Sequence, residues 1–249
     1  MSADHMTPGG LKRAEQVAVE IEKRIIDLRW PIGELIGSEQ SLIEEYNVSR
    51  GVLREAIRLL EHHGTARMRR GPGGGLFVTP PDPHGVRRSA ALYLRYGRTD
   101  VASLAAARKS LELDCLDLVG ARLNDPAVST RLRRALEIET AYTSAEGTGS
   151  ARHLRNFHLE LAELTGNPAI SLFTEILMEL QAEFTAEANG GPQAGEVRAA
   201  GIGESHHAHQ AIYHALVNGD LDVAKKRMSR HLDGIASYTA EHGAATDAH

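Results

Sequence analysis

Several features that mark secreted or membrane-bound proteins are missing from this sequence. There is one cysteine, Cys115, so no internal disulfide can form, and this predicts a reducing, cytoplasmic location. No run approaches the length of a membrane span, and no apolar stretch follows the polar start MSADHMTPGG. We therefore expect neither a spanning helix nor a secretory signal. Aromatic residues make up only 4 %, and the abundant Ala, Leu, Arg and Glu favour helix over strand.

An excess of positive charge, the simplest indicator of nucleic-acid binding, is also missing. The chain has 28 Lys+Arg against 33 Asp+Glu, a formal net charge of -5. The charges are nevertheless unevenly distributed, because residues 50–70 contain six arginines and only two glutamates. The sequence therefore predicts a local basic patch on an acidic protein.

Common catalytic motifs are absent as well. The sequence contains no H-E-x-x-H, no G-x-S-x-G and no paired E-x-x-H motif. Each of these would bring a nucleophile or a base to a reacting centre. We predict that the chain is not an enzyme, and the alternative is a metal-dependent enzyme that uses the histidine-rich second half.

Helical periodicity covers most of the chain. It predicts a helix over 11–28 and then helices over 38–47 and 49–63, with Ser38 and Ser49 as N-caps and Gly64 at the end. Two short runs around a Pro/Gly turn predict a β-hairpin over 66–70 and 75–79. Seven more helices are predicted over 86–96, 100–123, 126–143, 150–165, 168–188, 203–217 and 221–242.

These patterns predict a mainly α protein with two domains. Residues 11–79 are expected to form a winged helix-turn-helix of three helices and a β-hairpin wing, and residues 80–85 a linker. Residues 86–242 are expected to form an all-α antiparallel helical bundle, because the joints between its helices are short. Residues 1–10 and 243–249 are predicted to be flexible tails.

The third predicted helix has the residues that a DNA recognition helix needs. Arg50 stands at its N-terminal end, where a side chain reaches base edges and phosphates of the major groove. Gly51 allows a close approach of the backbone, and Arg54 follows one turn later. Arg70 and Gly71 lie at the turn of the wing, where an arm contacts the DNA backbone or minor groove. Arginines at this spacing also fit an ordinary solvated helix face, but the preceding helix and the basic wing favour DNA binding.

The stretch SEQSLIEEYNVSRGVLREAIRLLEHHGTARMRRGPGGGLFV closely resembles the N-terminal domain of the GntR family of bacterial transcription regulators. The resemblance covers 11–80 and depends on SR-x-x-x-REA-x-x-x-L and the basic wing. It implies a winged helix-turn-helix that binds double-stranded DNA. The implied DNA-contacting residues are Gln40, Ser49, Arg50, Gly51, Arg54, Arg70 and Gly71.

The chain departs from the GntR pattern at two positions. Gly37 stands where the family usually has a proline before Ser-Glu. Gln40 stands where the family frequently has a DNA-contacting arginine. Because glutamine can still contact adenine or a phosphate, we expect a different operator sequence rather than lost binding.

Three histidines in the second half lie in helical segments with apolar neighbours. They are His158, His209 and His231, whereas others, His206 among them, are expected to be exposed or merely hydrogen-bonded. Three imidazoles that converge in one bundle would suit a divalent transition metal such as zinc. A buried histidine is also commonly a core residue whose nitrogens are hydrogen-bonded.

The segments around these histidines resemble the FCD ligand-binding domain of the FadR subgroup of GntR regulators. The pattern is NFH-x-x-L-x-x-x-x-GN followed by H-x-x-I-x-x-A-x-x-x-GD and M-x-x-H, within 86–242. The resemblance implies metal ligands at His158, His209 and His231, plus an aspartate one helical turn before the first. Leu154 occupies that position. His153, Asn156 and Asp117 could replace the carboxylate, although none has the matching spacing, and a metal-free polar pocket is the alternative.

The same resemblance implies a ligand-responsive regulator, a repressor, that acts as a homodimer on an inverted-repeat operator. Arg108 lies where the family often grips a carboxylate effector, and guanidinium suits that task. An intrahelical ion pair with Glu112 is the other interpretation. An acyl-CoA effector is the alternative to a small carboxylate, and the histidine trio argues against it.

Overall fold

The computed structural model describes residues 8–80, 82–144, 151–188 and 199–243. The chain divides into two compact units, the first ending at Arg88 and the second beginning at Ser89. Most of the two predicted tails lies outside the described residues. The first helix begins at Pro8, within the range expected to be a tail.

The first unit contains three helices and three short strands, and their order matches the expected winged helix-turn-helix. They are α1 (Pro8–Asp27), β1 (Leu35–Gly37), α2 (Glu39–Glu45), α3 (Arg50–His63), β2 (Ala66–Arg69) and β3 (Gly75–Val78).

Side-chain caps set the limits of the two central helices. Ser38 accepts a hydrogen bond from the backbone N–H of Ser41, and Ser49 accepts one from that of Val52. Both caps satisfy backbone donors that a helix start leaves unpaired. Gly64 ends α3 in the left-handed region, at φ 71°, where the absence of a side chain removes the steric cost. All three predicted caps are confirmed.

The wing is a three-stranded antiparallel sheet in the order β1-β3-β2. The predicted hairpin is present as β2 and β3, with Ala66 opposite Val78 and Arg69 opposite Gly75. The strand β1 was not predicted. It pairs with β3 through Leu35 and Gly37 and covers the other edge of the hairpin.

The core of the first unit lies between α1, α3 and the sheet. Ile21, Leu53, Leu60 and Leu76 are completely buried within it. Leu42 and Ile57 are also buried, whereas Val48, Val52 and Leu59 are partly buried. This core fixes α3 while its opposite face remains in solvent.

In its described residues the second unit consists of helices and short connections. Its first helix begins a few residues before the unit boundary. The helices are α4 (His84–Tyr96), α5 (Val101–Gly120), α6 (Pro126–Ser144), α7 (Ala151–Leu164), α8 (Pro168–Ala188), α9 (Ala199–Val217) and α10 (Leu221–Gly243). All seven predicted helices are confirmed with small changes at their ends, and α4 starts within the range expected to be a linker. None of the helices in the described ranges combines the length and apolarity that a bilayer crossing requires.

The main core of the second unit lies between α5, α6, α7, α9 and α10. Leu116, Leu132, Phe157, Leu161 and Ile212 are completely buried there. A smaller apolar cluster joins α4, α5 and α8 through residues that include Ala91, Leu104 and Leu180. The helices of the larger core also supply the polar groups of the site described below.

Candidate functional site

A cleft of about 690 Å³ in the first unit, which we call the arginine cleft, lies between α3 and the wing. Its lining includes Arg50, Arg54, Arg58, Arg69, Arg70 and Gly71. Two hydrogen bonds fix the elements that form it. The Ser49 Oγ accepts from the Val52 N–H at 3.3 Å, and the Glu61 Oε1 accepts from the Met68 N–H at 3.1 Å. The second bond ties the wing directly to α3.

The arginines of the cleft differ in the contacts that they make within the protein. The Arg50 Nε lies 3.4 Å from Glu39 Oε1, and the Arg58 Nη1 lies 2.9 Å from Glu55 Oε2. The Arg69 guanidinium lies over the Phe77 ring, 4.3 Å from its centroid. Within the described chain, Arg54 and Arg70 form no ion pair or side-chain hydrogen bond and are exposed. Those two are best placed to meet an external anion.

The predicted DNA-contacting residues separate into two groups. Arg50, Arg54, Arg70 and Gly71 line the arginine cleft together. Gln40, Ser49 and Gly51 lie outside its lining: Ser49 serves as the cap of α3, and the Gln40 Nε2 donates to Glu44 Oε1 at 2.6 Å on the exposed face of α2. The acidic residues Glu39 and Glu61, which sequence reasoning did not assign to the site, also line the cleft.

In the second unit, His158 on α7, His209 on α9 and His231 on α10 point their Nε2 atoms at one another; we call them the histidine trio. The Nε2–Nε2 distances are 3.1 Å for His158–His209, 3.0 Å for His209–His231 and 3.3 Å for His231–His158. The ligand atoms of the trio lie close enough for one metal ion. His158 and His209 are buried, and His231 is partly buried. The predicted convergence of the three side chains is therefore present.

Two buried glutamates stand behind the trio, and sequence reasoning missed both as members of the site. Glu112 on α5 forms a short hydrogen bond with His158 Nδ1. Glu139 on α6 accepts from His209 Nδ1 at 2.9 Å and from His206 Nδ1 at 3.2 Å. His206 is thus buried and hydrogen-bonded. The only indication in the sequence was the presence of an acidic residue among apolar positions of a helix.

Burial controls the ionisation of the trio. It lowers the pKa of His158 to about 4, of His209 to about 3 and of His231 to about 2. The imidazoles are therefore neutral at pH 7, the form in which histidine binds a metal.

The two glutamates ionise differently. Burial would raise the pKa of Glu112, but His158 and the Arg108 guanidinium outweigh that effect and lower it to about 2. Burial raises the pKa of Glu139 to about 7, against the hydrogen bond from His206. Glu112 is therefore a permanent anion at neutral pH, and Glu139 lies close to its titration.

The position one turn before His158 holds Leu154, which is buried at 9 % exposure. Of the substitutes considered for its carboxylate, the two whose side chains the structure describes, Asp117 and Asn156, make other contacts or face solvent. The Asp117 carboxylate accepts from Lys225 Nζ at 2.6 Å, and Asn156 is exposed. The side chain of His153 lies outside the described residues.

Arg108 is buried on α5 at 7 % exposure, one turn from Glu112. Its Nε donates to Glu112 Oε1 at 2.5 Å, and its Nη1 donates to Gln181 Oε1 at 3.1 Å. The intrahelical pair considered from the sequence is present, and through Glu112 it connects Arg108 to the trio.

Two family models match the chain. The FCD domain matches residues 103–234, more than half of the chain, and the model described as bacterial regulatory proteins, gntR family, matches residues 13–78. The second match contains the arginine cleft, and the first contains the histidine trio.

Curated relatives of similar length match as well. The HTH-type transcriptional regulator LutR of Bacillus subtilis is 26% identical over 211 residues, covering 82% of this chain and 90% of that protein. The Uxu operon transcriptional regulator of Escherichia coli is 25% identical over 238 residues, with coverage of 89% and 84%. The HTH-type transcriptional repressor NanR of Cronobacter sakazakii is 26% identical over 226 residues, with coverage of 90% and 84%.

Among solved structures, a GntR protein of Streptococcus agalactiae has the same fold. The TM-score is 0.64 at 22% identity, and the alignment covers 90% of this chain and 99% of that one.

Proposed function

Because the chain belongs to the FCD-domain regulators of the bacterial GntR family, we propose that it binds operator DNA through the arginine cleft and a small carboxylate at a metal centre formed by the histidine trio. The family identity makes the chain a ligand-responsive, DNA-binding transcription regulator and not an enzyme. The residues, the metal, the effector and the assembly that follow are our proposals.

The observation that carries the DNA-binding proposal is the clustering of arginines on the solvent face of α3 and on the wing. Five arginines line one cleft in a protein of net charge -5. A phosphate backbone would compensate this local charge, and the N-terminal end of α3 would enter the major groove. Arg50 and Arg54 would contact bases or phosphates from the helix, and Arg70 and Gly71 would contact the backbone from the wing. Ser49, Gly51 and Gln40 would support contacts at the start of α3 and on α2.

An Arg50→Ala, Arg54→Ala double variant tests this interface. We expect weaker binding to every duplex and a salt slope reduced by about one for each lost phosphate contact. Fluorescence anisotropy with a labelled duplex at several salt concentrations measures both. Arg133→Ala is the matched control, because Arg133 is exposed on α6 and, among the described residues, forms its ion pair with Glu137 at 3.8 Å. Unchanged affinity and slope in the double variant would contradict the assignment.

The hydrogen bonds around the trio support a bound cation. A neutral imidazole has a single N–H. If His158 and His209 donate theirs from Nδ1 to Glu112 and Glu139, both Nε2 atoms carry lone pairs, and these face each other at 3.1 Å. His231 has one N–H to donate, and donating it to one of these Nε2 atoms leaves the lone pairs of His158 and His209 still facing each other. A divalent metal bound by the three Nε2 atoms removes the conflict.

Zinc fits this donor set, since three imidazoles form a known zinc site that retains an open coordination position. When bound, the metal would supply positive charge and an open position for an effector oxygen. Leu154 at the place of a carboxylate ligand leaves the ion with one negative charge fewer in direct contact. A metal-free pocket in which the histidines bind the effector is the alternative.

Zinc titration of the full chain tests the metal proposal. We expect one equivalent of Zn²⁺ per chain in competition with a chromophoric chelator, and loss of that uptake in His209→Ala. His207→Ala is the control, because His207 lies two residues away and is exposed. Absence of stoichiometric uptake by the unmodified chain would favour the metal-free pocket.

Arg108 is the proposed anchor for the effector carboxylate. Its Nε and Nη1 donate to Glu112 and Gln181, and its Nη2 would donate to an oxygen of the effector carboxylate. A thermal-shift screen with acetate, lactate, succinate and citrate tests this role. We expect stabilisation by at least one acid and its loss in Arg108→Lys, which keeps the charge but loses the planar fork. A co-purified acyl-CoA in native mass spectrometry would instead support the alternative effector class.

We propose that the regulator works as a homodimeric repressor on an inverted repeat. A two-fold protein matches a two-fold operator, and one relative is a transcriptional repressor. The exposed side chains of Leu92, Tyr93 and Tyr96 on α4 offer apolar surface for association. Coupling of about 1–3 kcal/mol between effector and DNA would suffice for regulation. Light scattering should give a mass of two chains, and a monomer at micromolar concentration would oppose this assembly.

A further inference from the structure

We propose that Glu112 and Glu139 are positioning residues that hold His158 and His209 as metal ligands from behind. The inference depends on the metal centre proposed above and adds two residues that the histidine pattern does not contain. The carboxylates contact the Nδ1 atoms of the two imidazoles, on the ring side opposite the converging Nε2 atoms. Neither glutamate is therefore a direct ligand in this geometry.

Each glutamate is held in place by partners of its own. Glu112 uses one oxygen for His158 and the other for the Nε of Arg108, which is itself held by Gln181. Glu139 is completely buried and receives hydrogen bonds from His209 and His206. Since both acceptors are fixed, the two imidazoles keep the tautomer that exposes Nε2 to a metal.

The third histidine has a different set of hydrogen bonds. Within the described residues, His231 forms hydrogen bonds only through Nε2, to His209 and His158, and it is only partly buried. The trio thus consists of two imidazoles backed by carboxylates and one without such a partner. This arrangement places two carboxyl groups behind the ligands, whereas Leu154 offers none in direct contact.

Substitution by glutamine replaces each carboxyl group with a neutral amide and nearly preserves its shape. We expect Glu112→Gln and Glu139→Gln each to lower zinc affinity by about 10–100-fold, the usual effect of losing such a partner. Chelator competition on the full chain measures the affinity. The cobalt(II) absorption spectrum should also change, because reoriented imidazoles alter the ligand geometry. Asp114→Asn and Glu137→Gln are matched controls on the same two helices, and both residues are exposed.

The outcomes separate the two proposals. If the unmodified chain takes up no zinc, the metal centre and this inference both fail. If it binds zinc and both glutamine variants bind equally well with the same cobalt spectrum, only this inference is overturned. A purely structural role would lower the melting temperature in chelator without changing the affinity of the folded fraction.

A measurement on the unmodified protein covers the case in which a variant does not fold. Long-range ¹H–¹⁵N correlation spectra of the zinc-loaded chain report which imidazole nitrogen carries the proton. We expect Nδ1–H in His158 and His209, with the metal on Nε2. Protonated Nε2 in either ring would overturn the proposal.

Discussion

At the scale of single residues, the environment decides what each ionisable group can do. The imidazoles of the trio lose their proton affinity through burial, whereas Glu112 becomes a stronger acid because Arg108 and His158 stand beside it. The trio was predictable from the sequence, because each histidine lies among apolar residues of a strongly helical segment. Glu112 and Glu139 were not, because they meet His158 and His209 from helices 46 and 70 residues away.

Cys115 provides a prediction at this scale. The thiol is completely buried, and burial raises its pKa to about 12 from an ordinary 9.0. Because only the thiolate reacts, about a thousandfold less of the reactive form is present than for an ordinary thiol. We expect iodoacetamide to label the native protein far more slowly than the guanidinium-denatured protein at pH 8. Equal labelling rates would show that the thiol is accessible.

At the scale of elements, local sequence was sufficient for the helices but not for the sheet. Serine caps and the glycine stop are short-range features, and they correctly limit α2 and α3. The strand β1 has only three residues and pairs with β3, about forty residues later. No local pattern announces such a pairing, since its stability depends on the partner strand and on the core beneath it.

The close approach of β1 to β3 makes Gly75→Ala a sharp test of the wing. A methyl group at this position would lie 2.6 Å from the Gly37 carbonyl oxygen, so the strands would have to separate. Overpacking of this kind costs about 1–3 kcal/mol, and we expect that loss of unfolding free energy together with weaker DNA binding.

Chemical denaturation and anisotropy check both parts of the Gly75 prediction. Gly85→Ala serves as the control, because a methyl group there meets nothing within 4 Å. Normal stability and normal DNA affinity in Gly75→Ala would mean that the wing tolerates the separation of β1 from β3.

At the scale of the whole molecule, the two family matches fall on different parts of the chain. The match over 13–78 lies within the domain proposed for DNA, 11–79, and the match over 103–234 lies within the domain proposed for the effector, 86–242. The overall charge conceals this division, because the net charge of -5 is the sum over all residues and does not show that arginines are concentrated at one cleft. The sequence predicted both domains because each has its own motif. It did not predict the contacts between elements that complete each site, such as the bond between Glu61 and Met68 or those of the two glutamates with the trio.

The central claim is that the arginine cleft makes this chain a sequence-selective DNA-binding protein, and one measurement tests it most directly. The full chain is titrated onto the duplex upstream of its own coding sequence and onto a scrambled duplex of equal composition, from about 50 to 200 mM salt. We predict tighter binding to the upstream duplex at every salt concentration, and a linear fall of log affinity with log salt for both. Equal affinity for the two duplexes across the whole range would contradict the account.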